Sequence, residues 1–144
     1  MIIAVDFDGT CVTHEYPEIG KSIGAERVLR ALVKNGHQIV LCTMRGHKPH
    51  DGRDLLQEAI DWFKDNGIEL YGVNKTPFQH TWTDSPKPYA HLYIDDAALG
   101  CPIKYGDISE RPFANWERIE NYFKKLGIID PKLPWGSTKI ITQQ

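Results

Sequence analysis

A handful of residues able to do acid, base or nucleophilic chemistry stand where apolar runs of this chain end. Asp6 and Asp8 follow Ile2-Ile3-Ala4-Val5, inside Asp6-Phe7-Asp8-Gly9-Thr10. Thr43 closes Ile39-Val40-Leu41-Cys42, and Asp95-Asp96 close the run ending in Tyr93-Ile94, with Lys87 shortly before it. Two carboxylates two residues apart repel each other unless a cation or a shared proton intervenes. Their oxygen donors suit a hard divalent ion such as Mg²⁺. Taken alone, D-x-D-G-T also reads as a strand running into an ordinary Asp-Gly turn; the rest of the set is what tells against that.

These groups need a scaffold that brings them together. Short β-branched runs closed by Gly or acids read as strands buried on both faces, as in a parallel sheet. Ile2–Val5, Gln38–Thr43, Ile68–Val73 and His91–Ile94 are such runs, and Ile103-Lys104-Tyr105 is a short fifth. Between them lie helical stripes: Val28, Leu29, Leu32 and Val33 within Ala25–Asn35, and Leu55, Leu56, Ala59, Ile60 and Phe63 within Arg53–Asn66. Trp116, Ile119, Phe123 and Leu126 form a third within Ala114–Leu126. Gly36, Gly67 and Gly127 stand where C-terminal helix stops belong. Alternation of strand and helix predicts an α/β fold with a doubly wound, mostly parallel, Rossmann-like sheet. In such sheets functional groups gather beyond the carboxyl ends of the strands, which is where Asp6, Asp8, Thr43, Asp95 and Asp96 fall, with Lys87 in the loop just before the fourth strand.

The chain has 144 residues, 41% hydrophobic and 25% charged, with a net charge of −2. That predicts one domain over 1–144 with a sizeable core, and no global attraction to nucleic acid or membrane. No apolar run reaches membrane-spanning length and the N-terminus lacks the marks of a leader, so the expected location is cytoplasmic. Cys11, Cys42 and Cys101 are scattered without C-x-x-C spacing, which reads as free thiols in a reducing compartment. Small buried filler is the plainer role for them. Residues 128–144, with Pro131, Pro134, Trp135 and the β-branched stretch Thr138–Thr142, read as a tail packed on the domain or on a neighbouring subunit.

Four carboxylates, a hydroxyl and an ammonium around a cation make a site for a phosphoryl group. A carboxylate can attack phosphorus, splitting one hard displacement into two easier ones. A second can protonate the leaving oxygen and later take a proton from water. The hydroxyl and ammonium stabilise the equatorial oxygens.

With these residues in this order, the chain resembles the haloacid dehalogenase (HAD) superfamily, whose phosphatases carry four short motifs on a Rossmann-like sheet. Asp6-Phe7-Asp8-Gly9-Thr10 is similar to the first motif, Leu41-Cys42-Thr43 to the second, Lys87 to the third and Tyr93-Ile94-Asp95-Asp96 to the fourth. The resemblance implies that Asp6 is nucleophile and metal ligand. It implies that Asp8 is the general acid and base, with its backbone carbonyl on the metal. Asp95 would complete the protein ligands of Mg²⁺, and Asp96 would orient Lys87 or a metal-bound water. Thr43 and Lys87 would bind the phosphoryl group, with Arg45 a further substrate contact. Asp8 also favours phosphoester chemistry over dehalogenation, since a halide needs no proton donor.

Neither the loop His14–Gly24 nor the interval from Thr43 to Lys87 can hold a separately folded cap. The chain therefore resembles the capless members, whose open crevice suits a small phosphomonoester closed over by another subunit, hence a homo-oligomer, or a phosphoprotein or nucleic-acid end. A phospho-accepting receiver-like module is the non-catalytic alternative; receivers, however, place the paired acids after strand one. Lys75 is a second candidate for the motif-three lysine. His47, His50 and Asp51 could suggest a transition-metal site, although no third soft ligand converges on them. Of the tryptophans, Trp62, Trp116 and Trp135 are core or cover by default, and Trp82 stands nearest Lys87 in sequence.

Overall fold

The computed structural model describes residues 1–133. Four strands, β1 (Ile2–Val5), β2 (Gln38–Leu41), β3 (Leu70–Val73) and β4 (Leu92–Ile94), form an all-parallel sheet in the order β3-β2-β1-β4. Helix α1 (Ala25–Lys34) joins β1 to β2 and α2 (Leu55–Asp65) joins β2 to β3. The path from β3 to β4 contains a single 3₁₀ turn, Gln79–Thr81. After β4 come β5 (Ile103–Lys104), β6 (Phe113–Ala114) and α3 (Trp116–Leu126). The chain is thus an α/β protein with the strand order reversing between β1 and β4, the place where open parallel sheets bind ligands.

Each helix forms where the apolar spacing requires it. Val28, Leu29 and Leu32 of α1, Leu55, Leu56, Ala59 and Phe63 of α2, and Trp116, Ile119 and Phe123 of α3 are buried. Leu126, expected on the buried face of α3, is instead half exposed at the helix end. Capping sets the starts: Asp54 accepts from the Gln57 N–H and Asn115 from the Arg118 N–H, so α2 begins after Arg53 and α3 after Ala114. With Ile3, Val5, Ile39, Leu41 and Ile94 from the sheet, the helix faces close one core. The buried Arg27–Glu120 ion pair ties α1 to α3 within it.

Three boundaries differ from the sequence expectation. Strand β2 ends at Leu41 and β3 starts at Leu70, because Ile68 donates its N–H to Phe63 O and finishes the helix turn instead. The fifth strand does not join the main sheet: Ile103–Lys104 pairs antiparallel with Phe113–Ala114, a partner too short to register as a strand in the sequence. Of the expected tail, Ile129 is buried and Leu133 packs on the core, while Trp135 and Thr138–Thr142 lie outside the described residues. No helix among the described residues is long and apolar enough to cross a membrane.

Candidate active site

Strand register builds the site. Val5 pairs with Ile94 on one side and Leu41 on the other. One step further, Asp6 donates its N–H to Ile94 O (3.0 Å) and Cys42 donates to Val5 O (2.8 Å). Asp6 and Asp95 therefore leave adjacent strands at the same level, with Cys42 and then Thr43 on the third. Carboxylate oxygens of Asp6, Asp95 and Asp96 come within 4.8 Å of one another, the only such group of three among the described residues.

The cluster is costly without a cation. Burial and the neighbouring Asp95 charge raise the Asp6 carboxyl from 3.8 to about 7, even though the Phe7 N–H and the Thr10 hydroxyl pull it down. Thr10 is the hub: its Oγ1 lies 3.0 Å from both Asp6 Oδ2 and Asp96 Oδ1, and accepts the Asp96 N–H at 3.0 Å. The indole N–H of Trp116 donates to Thr10 O, anchoring this turn to α3.

Two contacts have little signal in the sequence. His14 Nε2 lies 2.7 Å from Asp96 Oδ2, with both side chains nearly buried. Its ring occupies the space that a side chain on residue 9 would need: a Cβ at Gly9 would fall 1.9 Å from His14 Nε2, and Gly9 has φ +83°. Both oxygens of Asp96 are thus engaged by Thr10 and His14. Lys87, expected as a partner of Asp96, instead places Nζ over the Tyr93 ring, 5.0 Å from its centroid.

Asp8 and Asp6 diverge. Arg45, offered by the sequence as a substrate contact, is 2% exposed and clamps Asp8 through Nε–Oδ2 and Nη2–Oδ1, each 2.8 Å. Its remaining bonds go to Glu18 O and Leu55 O, and its guanidinium packs over Phe7 and Tyr16 at 5.1 and 5.3 Å. Substrate contact by Arg45 would require opening this clamp. Thr43 Oγ1 accepts the Arg45 N–H (3.1 Å), and Thr43 donates its own N–H to Asn74 Oδ1 (2.8 Å), so Asn74 at the end of β3 fixes the turn. The Lys87 loop is stapled by buried Gln79, whose amide donates to Ser85 O and Lys87 O and accepts from the Tyr89 N–H.

The other candidates separate from the cluster. His47 pairs with Asp54, the α2 cap, and His50 lies 4.0 Å from Asp51, both on the exposed surface. Cys11 is fully buried, and burial with nearby Asp6 pushes its thiol well up. Burial and Asp6 push the Cys42 thiol up too, and burial does so for Cys101. None of the three has the depressed pKa of a nucleophilic thiol. Trp62 packs edge-on against Phe7, whereas Trp82 is exposed and edge-on to Tyr89.

Fold and site together define an α/β protein with a carboxylate cluster at the C-terminal edge of a parallel sheet. A solved structure described as that of a conserved protein coded by a locus of Bacteroides thetaiotaomicron is similar to this chain at 37% identity, with a TM-score of 0.67, over 88% of this chain and 91% of that one. The chain belongs to the family of that conserved protein. No family model matches the chain, and no curated protein matches it.

Proposed function

We propose that the chain is a Mg²⁺-dependent phosphomonoester hydrolase of the HAD type, acting through an aspartyl-phosphate on a small phosphorylated substrate. The observation that carries this reading is the convergence of Asp6, Asp95 and Asp96, with Asp6 raised to about 7. A group so repelled fits a dication, and an all-oxygen donor set fits a hard one. Because Thr10 and His14 engage Asp96, Asp6 and Asp95 with the Asp8 carbonyl are the residues that would hold Mg²⁺. The bound ion would neutralise charge between the anionic nucleophile and the anionic substrate.

Asp6 attacks phosphorus, and the bond to the leaving oxygen breaks as that oxygen takes a proton from Asp8. Both Asp8 oxygens accept from Arg45, so to act as the acid Asp8 first gives up one of these two bonds and takes a proton from solvent on the freed oxygen; the water step later returns that proton to it. Water then attacks the aspartyl-phosphate, Asp8 takes its proton, and inorganic phosphate leaves. Thr43, whose hydroxyl accepts from Arg45 and so has its own proton free to donate, and the Lys87 ammonium balance charge on the phosphoryl oxygens.

We read the sheet as doubly wound and capless, in a cytoplasmic protein. In support, residues 9–24 and 42–54 run as turns and isolated bridges, with no element long enough to form a cap. The test is hydrolysis of p-nitrophenyl phosphate with Mg²⁺ beside an Asp6→Asn variant. The reading expects metal-dependent turnover that the substitution abolishes; no turnover, or turnover that survives it, overturns the reading.

A further inference from the structure

Asn74 stands just past β3 with φ +53°, a left-handed conformation that costs a residue with a side chain and that Asn tolerates better than most. It bonds to the end of β2 on both sides of Cys42. Its N–H donates to Leu41 O (2.7 Å), and its side-chain Oδ1 accepts the Thr43 N–H (2.8 Å). In a regular parallel ladder one residue makes both such bonds with its own backbone, its N–H to one residue and its carbonyl to the residue two further on. Here the left-handed turn carries the chain out of the sheet, and the side-chain oxygen makes the bond that the Asn74 carbonyl would otherwise make. A side chain thus builds the last rung between β2 and β3.

What that rung holds is Thr43. Backbone held in a costly conformation persists only where its surroundings over-determine it, and such residues gather at functional sites. The Thr43 N–H is committed to Asn74, and Thr43 Oγ1 accepts the Arg45 N–H (3.1 Å). The hydroxyl proton is then what the Thr43 side chain has left to donate, and the proposed reaction needs it at a phosphoryl oxygen. Without the Asn74 oxygen the Thr43 N–H loses this partner, and the turn that carries the hydroxyl is released on one side. Asn74 lies 31 residues from Thr43 in the chain and belongs to none of the motifs.

We propose that Asn74 is a positioning residue of the phosphatase site, its side-chain oxygen fixing the Thr43 turn so that the Thr43 hydroxyl meets the transferred phosphoryl group. The inference rests on the phosphatase reading and deepens it. Asn74 touches no reacting atom and acts through Thr43.

Two substitutions separate the strain from the bond. Asn74→Gly loses the oxygen and accepts positive φ freely, whereas Asn74→Ala loses the oxygen and keeps the strain. Both retain the backbone N–H that bonds to Leu41 O. The urea midpoint of Asn74→Gly is therefore expected above that of Asn74→Ala, while kcat/KM on p-nitrophenyl phosphate with Mg²⁺ falls about ten-fold in both. Inhibition by inorganic phosphate, which reads phosphoryl binding apart from any leaving group, is expected to weaken about five-fold in both. In a Thr43→Val background Asn74→Gly is expected to cost less than about two-fold, because the hydroxyl it positions is gone. Undiminished kcat/KM in Asn74→Gly, activity that follows the urea midpoint, or an equal loss with and without the Thr43 hydroxyl overturns the positioning role alone. A wild type that fails to hydrolyse p-nitrophenyl phosphate overturns the phosphatase reading and this role with it.

Discussion

Replacing Asp6 by Asn should make the metal-free protein more stable, and by an amount that depends on pH. The folded carboxyl sits at about 7 against 3.8 for an ordinary aspartate. The native state therefore binds the proton more tightly than the unfolded chain, and stability falls as pH rises between those values. Below about 3.8 the contribution is fully present; above about 7 it is lost. At about 1.4 kcal/mol per pH unit, the full window is worth about 4 kcal/mol, of which roughly 2.7 falls between pH 5 and pH 8. Asn is isosteric and neutral and still accepts from Thr10, so it removes the burial of a charge first, the repulsion by Asp95 second, and little else. Urea denaturation of both proteins in EDTA at pH 5, 6, 7 and 8 measures the effect. The advantage of Asp6→Asn should grow steadily across that series, and saturating Mg²⁺ at pH 8 should shrink it by stabilising the wild type, about 2.7 kcal/mol at a hundred times Kd. An advantage that is absent at pH 8, or equal at pH 5 and pH 8, refutes the reasoning.

Three further outcomes follow from the site. Gly9→Ala forces a Cβ into the His14 ring at positive φ and should cost about 3 kcal/mol in denaturant; an unchanged midpoint would show that His14 can move aside freely. Arg45→Ala strands Asp8 beside a buried void and should destabilise by about 3–5 kcal/mol, with Arg45→Lys, which keeps the charge but loses the two-pronged geometry, recovering only part of it. Cys11 should resist a thiol reagent at pH 8 until the protein unfolds, while half-buried Cys42 and Cys101 react slowly in the native state; rapid labelling of Cys11 would contradict its burial.

What could be read from residue order alone is what depends on local pattern. Short β-branched runs closed by Asp6, Thr43 and Asp95 marked strand ends, since a buried strand terminates where the chain turns polar. The parallel register then needed only Val5 opposite Ile94 and Leu41 to bring Asp6 to Asp95 and within reach of Thr43. Helix stripes were legible for the same reason, apart from ends such as that of α2, where the Asp54 cap decides.

Tertiary packing alone decided which partner each charged group takes. Arg45 lies 37 residues from Asp8 and His14 lies 82 from Asp96, and no periodicity links such positions. Arg45 finds Asp8 because Phe7, Tyr16 and the Leu55 carbonyl surround its guanidinium. His14 finds Asp96 because Gly9 leaves the room its ring fills. The β5–β6 pair, too short to show in sequence, exists because Ala114 bonds to Gly9 O and Lys21 to Ile108 O. The sequence alone thus determined that carboxylates would meet at one sheet edge. Their protonation and their clamps come from contacts between residues far apart in the chain.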